Sequence, residues 1–136
     1  MSTHPNAARP TLATGPDPTR APMSAPHVVV LGSLNRDLVM RCAQLPLPGQ
    51  TIHGQGFDAL TGGKGANQAV AAARLGAAVS FIGCVGDDDA GRSAADTLAA
   101  EGIDTRHLHR LPGTHTGVAM ILVDEAGQNC IALAAG

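Results

Sequence analysis

Apolar and polar positions divide the chain sharply at residue 27. Residues 1–26 (MSTHPNAARPTLATGPDPTRAPMSAP) hold six of the nine prolines and show no apolar periodicity, which predicts a disordered leader. The stretch lacks the apolar segment of a secretory signal, and Met23, just ahead of the first patterned residues, is the expected translation start. From residue 27, HVVVLG is a continuous apolar run closed by glycine, the pattern of a strand buried on both faces of a parallel sheet. Polar groups follow at its end in Ser33-Leu34-Asn35-Arg36-Asp37. Asn35 and Asp37 stand two apart and share a face if the backbone stays extended.

Within residues 38–57, LPLPG predicts a turn and TIH (51–53) a short edge strand. Residues 66–75, ANQAVAAARL, are strong helix formers stopped by Gly76. VSFIGCVG (79–86) reads as a second buried strand. Asp87-Asp88-Asp89 then open a second helix over 90–101, with acids at its positive end and Gly102 behind it. Residues 117–123 and 128–134, joined by DEAG, predict a β-hairpin. Strand, small sheet, helix, strand, helix and hairpin in that order describe an α/β fold with an antiparallel flap. The last strand runs into Ala134-Ala135-Gly136 without a polar finishing segment, which predicts an unprotected strand edge.

Composition narrows this picture. A chain of 136 residues suffices for one modest domain. Its 44% apolar content is rich in alanine, with two Phe and no Trp or Tyr, so little area is buried per residue and the core is expected to lean on a partner or a further segment. The net charge is −2, no basic run tracks a nucleic-acid backbone, and no aromatic platform stacks bases. Apolar runs fall far short of a membrane span. Cys42, Cys84 and Cys130 form no C-x-x-C pair and read as reduced, buried thiols of a cytoplasmic protein, Cys84 as core packing in its strand. His107 and His109, either side of Leu108, read as a solvated pair rather than metal ligands. Asp87 to Asp89 read as helix caps rather than a cation site, and Arg74 and Arg92 as solvated helix residues.

The stretch TGGKGANQ (61–68) holds the candidate chemistry. A nucleotide phosphate loop needs a glycine five residues before its Gly-Lys pair and a hydroxyl after the lysine; Asp58 and Gly65 occupy those positions. GQGFDA (54–59) fits a dinucleotide fingerprint only formally, with neither a buried strand before it nor a helix opening there. A tight turn into the helix accounts for Gly62, Gly63 and Gly65, but not for Lys64 and Asn67. Lysine at a helix N-terminus opposes the dipole, so its presence points to acceptors or negative charge nearby. With Asn35 and Asp37 as matching acceptors, the mixture suits a polyhydroxylated ligand such as a sugar.

VVVLGSLNRDLVMR, LPLPGQTIHG, GGKGANQAVAAARLGA, FIGCVGDDDAG, EGID and TGVAMILVDEAGQNCIALAAG together resemble the amino-terminal part of the ribokinase-like (PfkB-type) carbohydrate kinases, over the whole chain from Val28 to Gly136. Other branches differ at Lys64 and Ala66, so GGKGANQA resembles the ribose-using branch. The resemblance implies a Rossmann-like α/β ribokinase fold with a small β-sheet lid, at about residues 38–57 and 117–134, often used for homodimerisation. It implies phosphorylation of D-ribose by ATP to D-ribose 5-phosphate, with magnesium and a monovalent cation, potassium. It carries sugar contacts onto Asn35, Asp37, Gly63, Lys64 and Asn67, with Arg36, Gly65 and Ala66 in the same segments. The family's Gly-Ala-Gly-Asp, whose aspartate is the catalytic base, is not in this sequence, and neither are the ATP and cation sites or a later acidic sugar contact. Asp37 holds sugar in the family and does not replace that base. The expectation is therefore the amino-terminal half of such a domain, without catalytic, cofactor or metal residues and inactive alone. The alternatives are a stand-alone sugar-binding or dimerising fragment, a non-functional remnant, or another pentose or hexose as substrate.

Overall fold

The computed structural model describes residues 25–136; the expected leader and the Met23 start fall outside them, save for Ala25 and Pro26. In chain order the elements are β1 His27–Leu31, β2 Asn35–Arg41, β3 Gly56–Gly62, α1 Lys64–Arg74, β4 Ala78–Gly86, α2 Asp89–Ala100, β5 Asp104–Leu111, β6 Gly117–Val123 and β7 Asn129–Ala134. They make two sheets. A parallel base sheet has the order β1-β4-β5, and a mixed four-stranded sheet has the order β3-β2-β6-β7. In the second sheet β2 pairs antiparallel with β3 and parallel with β6.

Both helices cover one face of the base sheet. Val30, Val79, Phe81 and Val85 of the strands meet Ala66 and Ala69 of α1 and Ala94 and Leu98 of α2, with Phe81 and Leu98 fully buried. Alanines at the contact let α1 lie close to the sheet, and Phe81 supplies the bulk that alanine lacks. The N-terminus of α1 is fixed by glycines. Gly63 has φ 96°, and a methyl group there would lie 2.7 Å from the Ser33 carbonyl oxygen. A methyl on Gly65 would lie 2.7 Å from Gly32 Cα, so the first turn of the helix rests directly on the end of β1. Gly76, at φ 90°, follows the C-terminal end of α1. Asp88 caps α2 by accepting from the Gly91 N–H at 2.8 Å, as its place before the helix predicts.

The structure departs from the sequence-based expectations at five points. β1 is buried on one face only: Val29 is 56% and Leu31 78% exposed on the face away from the helices. Cys84 points to that same open face and is exposed, as is Cys130, so Cys42 alone is a buried thiol; all three are free. Residues 51–53 form no strand, and β2 pairs instead with β3, a strand that absorbs the start of TGGKGANQ. β5 is an additional strand beside β4. It carries His107 and His109, both exposed, while Leu108 turns toward the core. Arg74 pairs with Glu101, and Arg92 pairs with Asp89 at 2.7 Å, rather than standing free. These are exposed pairs of small energetic weight.

Candidate functional site

The carboxyl ends of β1 and β4, the start of α1 and one face of the second sheet enclose a cavity of about 600 Å³. Ligands of open α/β sheets collect at this end of the strands. From the junction come Ser33, Asn35, Asp37, Gly63, Lys64 and Asn67, and from the base sheet Cys84. From the second sheet come Gly117, Ala119 and Ile121 of β6 and Ile131 and Leu133 of β7.

Strand alternation explains the grouping. Asn35 and Asp37 share the cavity face of β2, and their register partners on β6 are Gly117 and Ala119. On the other side their partners are Gly62 and Leu60 of β3. Two of these neighbours are glycine for a local reason. A methyl group on Gly62 would collide with the Asp37 carboxylate, and one on Gly117 with the Asn35 amide oxygen. Both polar side chains lie flat over a neighbouring strand that has given up its own side chain.

The Asp37 carboxylate is the electrostatic centre of the site. Its Oδ1 is buried and has no hydrogen-bond partner. Burial pushes its pKa above the ordinary carboxylate value. Lys64 and Asn67, three apart on α1 and both exposed, share the helix face that lines the cavity. The Ala66 N–H of that first turn is taken by the Ser33 carbonyl at 3.1 Å, which locks the turn in place. The wall thus presents an ammonium, two amide groups and a carboxylate with a free acceptor, opposite apolar Ile121, Ile131 and Leu133. Such a set can grip hydroxyls on one side and a C–H surface on the other.

Five of the eight residues singled out from the sequence therefore meet around one cavity: Asn35, Asp37, Gly63, Lys64 and Asn67. The other three do not line it. Arg36 projects from the opposite face of β2, where Nη1–H donates to Ser93 Oγ at 3.5 Å, and Gly65 and Ala66 are buried beneath the helix turn. Sequence reasoning missed Ser33, Cys84 and the apolar wall of β6 and β7. Alternation at 117, 119 and 121 was the available signal for that wall, but its side could not be assigned without the parallel β2–β6 register. Among the described residues no group of three or more His, Cys, Asp or Glu is placed to hold a metal ion. No phosphate cradle of the Gly-Lys type is built either, since α1 presents Gly65 where a hydroxyl would be needed.

Two sheets, the parallel one covered by helices, that meet at a cavity beside the strand ends place the chain among the open α/β domains. The chain belongs to the pfkB family of carbohydrate kinases, whose family model matches residues 25–136. It is 48% identical to the ribokinase of Haemophilus influenzae over 109 residues, covering 80% of this chain and 36% of that protein. Among solved structures, ribokinase from Cryptococcus neoformans in complex with ADP superposes with a TM-score of 0.74 at 37% identity, over 82% of this chain and 35% of that one. Arabidopsis thaliana ribokinase complexed with ribose and ATP gives 0.69 at 34% identity, over 82% and 36%. The fold is therefore the ribokinase fold. The chain spans about a third of the length of the curated relatives it matches, rather than the expected half.

Proposed function

We propose that this chain forms the sugar-holding part of an ATP-dependent kinase that converts D-ribose to D-ribose 5-phosphate. The observation that carries the reading is Asp37 Oδ1, a buried acceptor with no donor, set in a cavity with Asn35, Lys64 and Asn67. An unpaired buried acceptor costs about 1–3 kcal/mol, and more when charged, so a hydroxyl donor delivered by a ligand is strongly favoured there. Asn35 and Asn67 each offer donor and acceptor to further hydroxyls, and Lys64 adds a point charge. Gly63 brings backbone close to the ligand without a side chain in the way. Catalysis by such a site is positioning: the sugar is held so that one hydroxyl faces the phosphate donor.

ATP, magnesium and potassium belong to the proposed reaction, in which the described residues are given only the holding of the sugar. The similarity to ribokinases whose structures contain ADP, or ribose and ATP, supports the choice of donor and of sugar. A cytoplasmic location is proposed from three free thiols, two of them exposed. The second sheet is proposed as a lid over the sugar and as the contact between two copies. It carries exposed apolar side chains on both faces: Leu60, Ile131 and Leu133 toward the cavity, and Met40, Phe57 and Met120 away from it.

Titration calorimetry of the full chain with ribose tests the sugar reading. Binding is expected, weakened at least tenfold in Asp37→Ala and in Asn67→Ala, about 1.4 kcal/mol or more for each. Absence of heat with ribose and with other pentoses and hexoses would overturn it.

A further inference from the structure

We propose that Asp88 is a positioning residue for the sugar site, acting through Thr116 to hold Gly117 beneath the Asn35 amide. A helix cap needs one acceptor. Asp88 accepts three hydrogen bonds, and two of them come from outside its helix. Its Oδ1 accepts from the Gly91 N–H at 2.8 Å and from the Thr116 hydroxyl at 2.6 Å, and its Oδ2 accepts from the Thr116 N–H at 2.8 Å. Thr116 is 1% exposed, and its hydroxyl in turn accepts from the Gly86 N–H at 3.1 Å. The end of β4, the start of α2 and the residue before β6 are therefore tied at one buried point. Glycines make the approach possible: a methyl group on Gly86 would lie 2.6 Å from the Thr116 nitrogen, and one on Gly91 2.9 Å from its hydroxyl oxygen. The remaining side-chain ties between α2 and the second sheet are exposed and long, Arg36 to Ser93 at 3.5 Å and Thr61 to Thr97 at 3.3 Å.

Thr116 is followed directly by Gly117, the register partner of Asn35 and the residue whose bare backbone accommodates the Asn35 amide oxygen. A shift of Thr116 moves Gly117 into that amide or away from it. Binding geometry of this kind is set within about 0.5 Å by the residues behind the contacting ones. Asp88 sits behind the site in this sense, although it touches no part of the cavity wall.

The proposal rests on the sugar reading for its affinity readout but not for its spectroscopic one. Asp88→Asn keeps the size and one oxygen for Gly91, but turns an amide NH₂ toward a donor of Thr116, so that tie breaks while the cap can persist. Thr116→Val removes the hydroxyl from the other side, and Thr116→Ser returns it. The probes are ribose, followed by calorimetry, and the NMR signals of the Asn35 side-chain amide and the Gly117 backbone amide in the full chain. Asp88→Asn and Thr116→Val are expected to weaken ribose binding about tenfold and to move both signals, and Thr116→Ser to restore both. Melting temperatures lowered by Asp88→Asn, with ribose affinity and both signals as in the unmodified chain, would reduce Asp88 to a helix cap and overturn the proposal. If Thr116→Val does not fold, Asp88→Asn decides alone. If the unmodified chain binds no ribose, the sugar reading fails, and the Asn35 and Gly117 signals still decide whether Asp88 sets this position.

Discussion

At Asp37 the demands of stability and of the proposed binding role run in opposite directions. Its Oδ1 is buried without a donor, and burial raises its pKa, so the ionised form is a cost to the folded chain. A group whose folded pKa is raised contributes stability when protonated and loses it as pH rises through that pKa. Asp37→Asn removes the buried charge at constant size. It should stabilise the ligand-free chain by about 1–2 kcal/mol, read as a higher melting temperature or urea midpoint. The same substitution should weaken ribose binding in calorimetry. A variant both less stable and unchanged in affinity would show that Asp37 has a partner in solution. Gly62 and Gly117 illustrate a further point at this scale. Each is glycine because a side chain on the next strand occupies its space, a reason that periodicity and turn chemistry do not register.

Among the elements, α1 and α2 are both fixed at their N-termini, by different means. Gly65 lies in the first turn of α1, where replacing glycine by alanine ordinarily gains about 0.5–1 kcal/mol of helix propensity. Here the new methyl would meet Gly32 Cα at 2.7 Å, backbone that cannot swing aside. Gly65→Ala is therefore expected to destabilise, by about 1–3 kcal/mol in urea unfolding. Asp88 at α2 is pushed down to about 2, first by the Thr116 hydroxyl, then by the N–H groups of Thr116 and Gly91. Because its folded pKa lies below the ordinary value of about 3.9, the unfolded chain takes up the proton first on acidification. Its contribution is thus complete above about pH 4 and is lost as pH falls toward about 2. Asp104, held low by the Arg106 guanidinium, loses stability over acidic pH as well. The difference between unmodified chain and Asp88→Asn in melting temperature against pH isolates the Asp88 part. It should shrink across that window.

The same elements show how much of the fold the sequence disclosed. Both helices, β4 and the β6–β7 hairpin were legible, because propensity, glycine stops and apolar runs agree over those residues. β5 was not, because DTRHLHRL lies at a sheet edge and turns little but Leu108 inward. β2 and β3 were not, because their pairing is set by residues about twenty apart, and NRDLVMR and GFDALTG each mix polar and apolar positions on the cavity face. The five cavity residues could be singled out by residue type, and the structure brings them to one cavity. The apolar wall opposite them depends on strand register, which local pattern does not contain.

For the whole molecule, the distribution of uncovered apolar surface is the chief feature. Val29 and Leu31 stand on the open face of the base sheet, and the second sheet carries exposed apolar side chains on both of its faces. Contiguous exposed apolar patches mark interaction surface, whereas scattered single side chains do not. If the second sheet joins two copies, sedimentation should show a dimer that Met120→Glu or Ile131→Glu dissociates. A monomer in the unmodified chain, or a dimer resistant to both substitutions, would exclude that contact.

The cavity has a mechanical consequence as well. Its floor belongs to the base sheet and α1, its roof to the second sheet, and the chain crosses between them at residues 32–34, at Gly63 and at residues 112–116. A molecule bound there is a strut between two plates as well as an occupant. If the occupant is the sugar proposed above, discrimination between a pentose and a hexose becomes partly a question of how stiffly those crossings resist prying, and a bulkier sugar would meet leverage at the joints as well as contact with the wall.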